Sequence, residues 1–140
     1  MNADLERAKE LLTQGDNTCV VCKDDLIYTS SERGVKPLLC WLDQGTNLQD
    51  FSAADKVVGR GAALLYSLLG VRAVYADVLS EEARAALEHC GIAASWGTCV
   101  PRIVNRAGTG YCPIETAVLR IDDAKEALTA IRARLKELAT

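Results

Sequence analysis

"FSAADKVVGRGAALLYSLLGV", residues 51–71, decides the fold, because it fills the middle of the chain and is mostly apolar. Ser52 and Asp55 stand at the spacing of a helix cap and its third position. Val57, Val58, Leu64, Leu65, Leu68 and Leu69 then cover most of a helical circumference. The stretch therefore predicts one long central helix from Ser52 to about Leu69, mostly buried. In that helix Asp55 is a capping acid, and Lys56, Arg60 and Ser67 form one polar stripe, either a solvent seam or a pocket wall. Gly59-Arg60-Gly61 falls inside it, with Leu64 in the third glycine place. A dinucleotide fingerprint needs a strand-to-helix turn, so that reading is rejected in favour of close packing on a sheet.

Upstream, Leu5, Ala8, Leu11 and Leu12 recur at helical spacing until Gly15. Residues 18–22 and 26–30 are short β-favouring runs around Lys23-Asp24-Asp25 and read as a hairpin. Pro37 fits the first turn of a short helix that Gly45 ends. Downstream, residues 72–79 read as a strand, Ser80 caps a helix to Cys90, and residues 92–96 read as a strand. Residues 100–104 suggest a further strand whose Pro101 puts it at an edge. Ala124, Leu128, Ile131, Leu135 and Leu138 form the inner stripe of a closing helix. A β-α-β order favours parallel pairing, so the sum predicts an α/β three-layer sandwich with a mixed β-sheet, in one domain spanning 1–140.

Composition narrows the function. The 140 residues are 49% hydrophobic and 25% charged, with a net charge of −3 and no basic cluster. Duplex binding needs a concentrated Lys/Arg footprint, so nucleic acid is not an expected partner. No apolar run reaches the ~20 residues of a membrane span. The start, Met1 to Arg7, lacks a basic and apolar secretory pattern, which predicts a cytoplasmic protein with reduced cysteines.

The chemistry-bearing stretch is "GTGYCPIETAV", residues 108–118. With Pro113 at the first helical position, Cys112 is the N-cap and Glu115 the third residue, a capping box with sulfur in place of a hydroxyl. Serine, threonine, aspartate and asparagine cap better, and a thiol at a helix N-terminus is driven toward thiolate. Cys112 is therefore either a reactive group or only a cap. Gly108 and Gly110 let backbone N–H groups approach an anion, and Asn105, Arg106 and Thr109 add an amide, a guanidinium and a hydroxyl. Cys19 and Cys22 lie three apart on a strand and face opposite ways, as structural cysteines do. His89 and its neighbour Cys90 do not face one another on their helix. Arg33 and Lys36 suit a solvated loop better than a pocket mouth.

"RGVKPLL" at 33–39, "FSAADKVVGRGAALLYSLLGV" at 51–71 and "VPRIVNRAGTGYCPIETAV" at 100–118 together resemble the DUF1893 family, a prokaryotic domain of unknown function. The resemblance spans nearly the whole chain and implies a cytidine deaminase-like fold. Zinc deaminases carry H-x-E at the second core helix and P-C-x-x-C at the next. Here those places read Ala53-Ala54-Asp55-Lys56 and Ser80-Glu81-Glu82-Ala83. Cys112-Pro113 reverses the order of the second motif and Glu115 stands for its second cysteine, so no metal site and no cofactor are expected. The expected activity is binding of a small anionic molecule, nucleotides included, with metal-free chemistry. Cys112 would be nucleophile or sensor and Glu115 would orient the site or transfer protons. Asp55 and Lys56 would supply acid and base, while Asn105, Arg106, Thr109, Gly108, Gly110 and Arg60 would hold the anion. The alternative is a non-catalytic ligand-sensing or protein-interaction module. Homo-oligomerisation is compatible with either.

Overall fold

The computed structural model describes residues 2–104, 110 and 112–139. In chain order the elements are α1 (Ala3–Leu12), β1 (Cys19–Lys23), β2 (Leu26–Ser30), α2 (Lys36–Gln44), β3 (Ser52–Val58), α3 (Arg60–Leu69), β4 (Ala73–Ser80), α4 (Glu81–His89), β5 (Ala93–Val100), α5 (Pro113–Ala117) and α6 (Ala124–Leu138). The five strands form one mixed sheet in the order β2-β1-β3-β4-β5. β1 runs antiparallel to both β2 and β3, whereas β3, β4 and β5 are mutually parallel.

The central stretch corrects the expectation of one long helix. Its first half is the middle strand of the sheet, and only its second half is helical. Ala53, Ala54 and Val58 have no solvent exposure, because β1 and β4 flank the strand and helices cover both its faces. A strand buried on both sides loses the alternation that betrays a strand, and its alanines carry high helix propensity. Pairing with two neighbours overrides that propensity. Ser52 is accordingly not a helix cap; its Oγ accepts 2.8 Å from the Asn2 side chain. Asn2 itself caps α1 by accepting from the Leu5 N–H.

The sheet separates two apolar clusters of unequal size. On one face α1 places Ala8 and Leu12 against Val20, Cys22 and Ala54. On the other, Leu38 of α2, Leu65 and Tyr66 of α3, Leu87 of α4 and Ile131 of α6 join Cys19, Val21 and Val74. Helices on both faces of the sheet fit the expected three layers. Strand alternation sends Cys19 and Cys22 to opposite clusters, as their spacing predicted. The hairpin, the short helix α2 and the caps at Gly45 and Ser80 also agree with the sequence. Gly45, at φ 68°, closes α2, and Ser80 Oγ accepts from the Ala83 N–H at 3.0 Å to open α4.

Two boundaries differ from the sequence reading. Residues 93–100 form one strand through Gly97, where a break had been expected. A Cβ at Gly97 would lie 3.0 Å from the Asp77 carbonyl and 3.2 Å from the Tyr75 hydroxyl, so this glycine permits close approach of β4. The separate strand expected at 100–104 reduces to an isolated bridge at Val104. Among the described residues no helix is long and apolar enough to cross a membrane.

Candidate functional site

All three parallel strands end on the same side of the molecule, and that edge gathers the chemistry. In open parallel sheets ligands settle beyond the carboxyl ends of the strands. Here β3 turns into α3 through Gly59, which is the N-cap of α3 and offers no side chain to satisfy its first amides. Glu115, from α5, supplies the acceptor. Its Oε1 accepts from the Arg60 N–H at 2.6 Å and its Oε2 from the Gly61 N–H at 2.9 Å. A side chain at Gly59 would collide with this carboxylate. Gly59 and Gly61 thus lie at a strand-to-helix turn, correcting their expected place inside a helix. Leu64 still occupies the third position of a dinucleotide fingerprint.

This use of Glu115 replaces the expected capping box. Cys112 is the N-cap of α5 and Pro113 follows it, but the Cys112 side chain makes no capping bond. Its N–H donates to the Ile103 carbonyl at 3.1 Å, leaving Glu115 nothing to reach back to. Burial pushes the Glu115 pKa up, while the two amide bonds and the Arg60 charge pull it back. Glu82, across a small recess, adds to the upward push. Arg60 itself is anchored, donating from Nε to the Val118 carbonyl at 3.3 Å and from its terminal nitrogen to the Ile121 carbonyl at 2.5 Å. The same nitrogen bonds Asp122 at 2.5 Å. Arg60 therefore holds the chain after α5 rather than belonging to a polar stripe with Lys56.

Two recesses flank Glu115. One, of about 90 Å³, is lined by Val35, Val57, Gly59, Ile103, Cys112 and Glu115 among others. The other, of about 50 Å³, lies against Ser80, Glu82, Arg102, Ile103, Thr116 and Leu119. Both are well below the ~300–1,000 Å³ of sites that enclose a drug-sized ligand. A larger open groove of about 390 Å³ runs between α3 and α4, past Arg60, Leu64, Ala86, His89, Cys90 and Asp122.

Asp55 and Lys56 do not line the Cys112 recess. Adjacent residues of a strand face opposite ways. Lys56 is on the α1 face, half exposed, 3.7 Å from the Asp77 carboxylate. Asp55 faces the larger cluster, buried, where Tyr66 Oη donates to its Oδ2 at 2.7 Å. The Tyr66 hydroxyl also lies 3.2 Å from Cys19 Sγ, and Cys19 is the cross-strand partner of Asp55. Burial pushes the Asp55 pKa up to about 7 against the bonds from Tyr66 and from the Lys56 and Val57 amides. Burial likewise raises the Cys19 thiol and the Tyr66 phenol, and the Asp55 charge adds to both. Sequence reasoning missed this trio because Tyr66 and Cys19 are far from Asp55 in the chain. The signal was Asp55 standing as the only acid in residues 51–71.

Asn105, Arg106, Gly108 and Thr109 lie outside the described residues; Gly110 is exposed. A zinc site does not fit the described donors. The turn into α3 reads Gly59-Arg60-Gly61, the start of α4 reads Ser80-Glu81-Glu82, and among the described residues no three His, Cys, Asp or Glu side chains gather to hold a metal.

A family model described as "TM1506: Domain of unknown function (DUF1893)" matches residues 7–135. Among solved structures, the fold is similar to the crystal structure of a DUF1893 family protein (TM1506) from Thermotoga maritima, with a TM-score of 0.84 and 26% sequence identity. That match covers 98% of this chain and 92% of the other. No curated protein matches the chain. The sequence motifs, the family model and the shared fold agree, and the chain belongs to the DUF1893 family of domains of unknown function.

Proposed function

We propose that this protein binds a small anionic ligand at the carboxyl edge of β3, β4 and β5, on a single-domain, cytidine deaminase-like scaffold that dispenses with zinc. One observation carries the reading. The amides of Arg60 and Gly61 already grip a carboxylate, that of Glu115, at 2.6 and 2.9 Å. Two aligned N–H groups at a helix N-terminus favour any anion, and a phosphate or substrate carboxylate competes for them on equal chemical terms. Small anions match the recesses as they stand. A nucleotide phosphate would enter by displacing Glu115 and the α5 segment that carries it. Cys112, in the adjoining recess, would then meet the ligand as sensor or nucleophile.

A specific observation favours the second reading, a non-catalytic module. Among the described side chains around Cys112, Glu115 is the only acid or base, and both its oxygens are engaged. In that case Glu115 is only a cap lent by one helix to another. Titration of inorganic phosphate and a nucleoside monophosphate, followed by thermal unfolding and native mass spectrometry, separates the two. Ligand binding raises the midpoint by mass action, and Glu115→Gln, a neutral and weaker competitor, should bind the anion more tightly than the parent. No ligand-dependent shift in either protein leaves the module reading standing.

A further inference from the structure

We propose that β2 is the two-fold seam of a homodimer, pairing antiparallel with β2 of a second copy to extend the five-stranded sheet to ten. β2 is an outermost strand, and Leu26, Ile27, Tyr28 and Thr29 are all exposed. Its five residues include no charge, proline or glycine. A free strand edge offers unpaired N–H and C=O groups, and monomeric proteins blunt such edges with lysine, proline, bulges or cover. Among the described residues β2 has none of these. The opposite edge, β5, does: Pro101 follows its last residue.

Charge selects a second copy as the occupant. The hairpin turn beside β2 carries Asp25, and the other end of the strand leads to Arg33. Both are exposed, and neither makes an ion pair among the described residues. Antiparallel pairing about a two-fold axis brings the acidic end of one strand to the basic end of the other, twice. Centred on Thr29, it pairs residues 28–30 with their own copies and sets Asp25 opposite the partner's Arg33, each just beyond the end of its strand. Asp24 is not free for this role, since its N–H bonds Asp4 and its carbonyl accepts from Arg7 of α1. Tyr28 is braced for the contact by stacking on Phe51, with ring centroids 5.9 Å apart. Self-pairing also closes: an isologous two-fold contact uses both free edges and ends the assembly.

Sedimentation velocity over the micromolar range tests the seam. The parent chain should sediment as a dimer. Ile27→Lys, at an exposed position, should yield a monomer with an unchanged far-ultraviolet circular dichroism spectrum. Arg33→Asp should weaken dimerisation about tenfold through two like-charge pairs, and adding Asp25→Arg should restore it. A parent chain that stays monomeric, a dimer indifferent to Ile27→Lys, or a charge reversal without rescue would each overturn the proposal.

Discussion

Asp55 shows how much one position can hide. Its carboxyl lies between Tyr66 and Cys19 with 5% of its surface exposed, and burial holds its pKa near 7. A folded-state pKa above the unfolded value of 3.8 means that the native protein binds the proton more tightly than the unfolded chain. Its contribution to stability is complete below about pH 4 and is lost as pH rises through about 7. With the carboxyl raised from 3.8 to about 7, that loss is on the order of 4 kcal/mol. Asp55→Asn keeps the shape and removes the charge. Chemical unfolding at several pH values should show the variant gaining on the parent between pH 4 and 7, and a constant difference would show that Asp55 stays charged in the fold. Glu115 moves in the same direction, so the comparison with Asp55→Asn, and not the parent profile alone, isolates Asp55.

Among elements, the junction of β3 with α3 carries the most consequence. The strand ends at Val58, Gly59 makes the turn, and Glu115 closes the helix from 55 residues away. A cap that distant ties α5 to α3, so the two elements stabilise each other. Gly59→Ala drives a methyl group into the Glu115 carboxylate and should cost about 1–3 kcal/mol, the range for overpacking at a tight site. In a Glu115→Ala background the collision is gone, and the same substitution should cost much less. Equal costs in the two backgrounds, measured by denaturant unfolding in a double-mutant cycle, would place the strain elsewhere. Ser80 provides an ordinary comparison, a local cap read directly from sequence.

At the scale of the whole molecule the two faces of the sheet are unequal, with one helix on one side and the main core on the other. α6 seals that core through Ala127 and Ile131, both fully buried. Ile131→Ala should destabilise by about 2–5 kcal/mol with an unchanged denaturant slope, since it removes packing without changing the surface exposed on unfolding. A loss under about 1 kcal/mol would show that α6 closes over the cavity. The sequence by itself determined the amphipathic helices, the hairpin, the caps at Ser80 and Gly45, the opposite facing of Cys19 and Cys22, and the family. Each is written in local spacing or in a motif. Tertiary structure decided that residues 52–58 are a central strand, because a strand buried on both faces carries no periodic signature and only its neighbours reveal it. Pairing across the sheet and between helices also decided the surroundings of Asp55 and the destination of Glu115. Those partners are brought together by long-range contacts, which no spacing along the chain encodes.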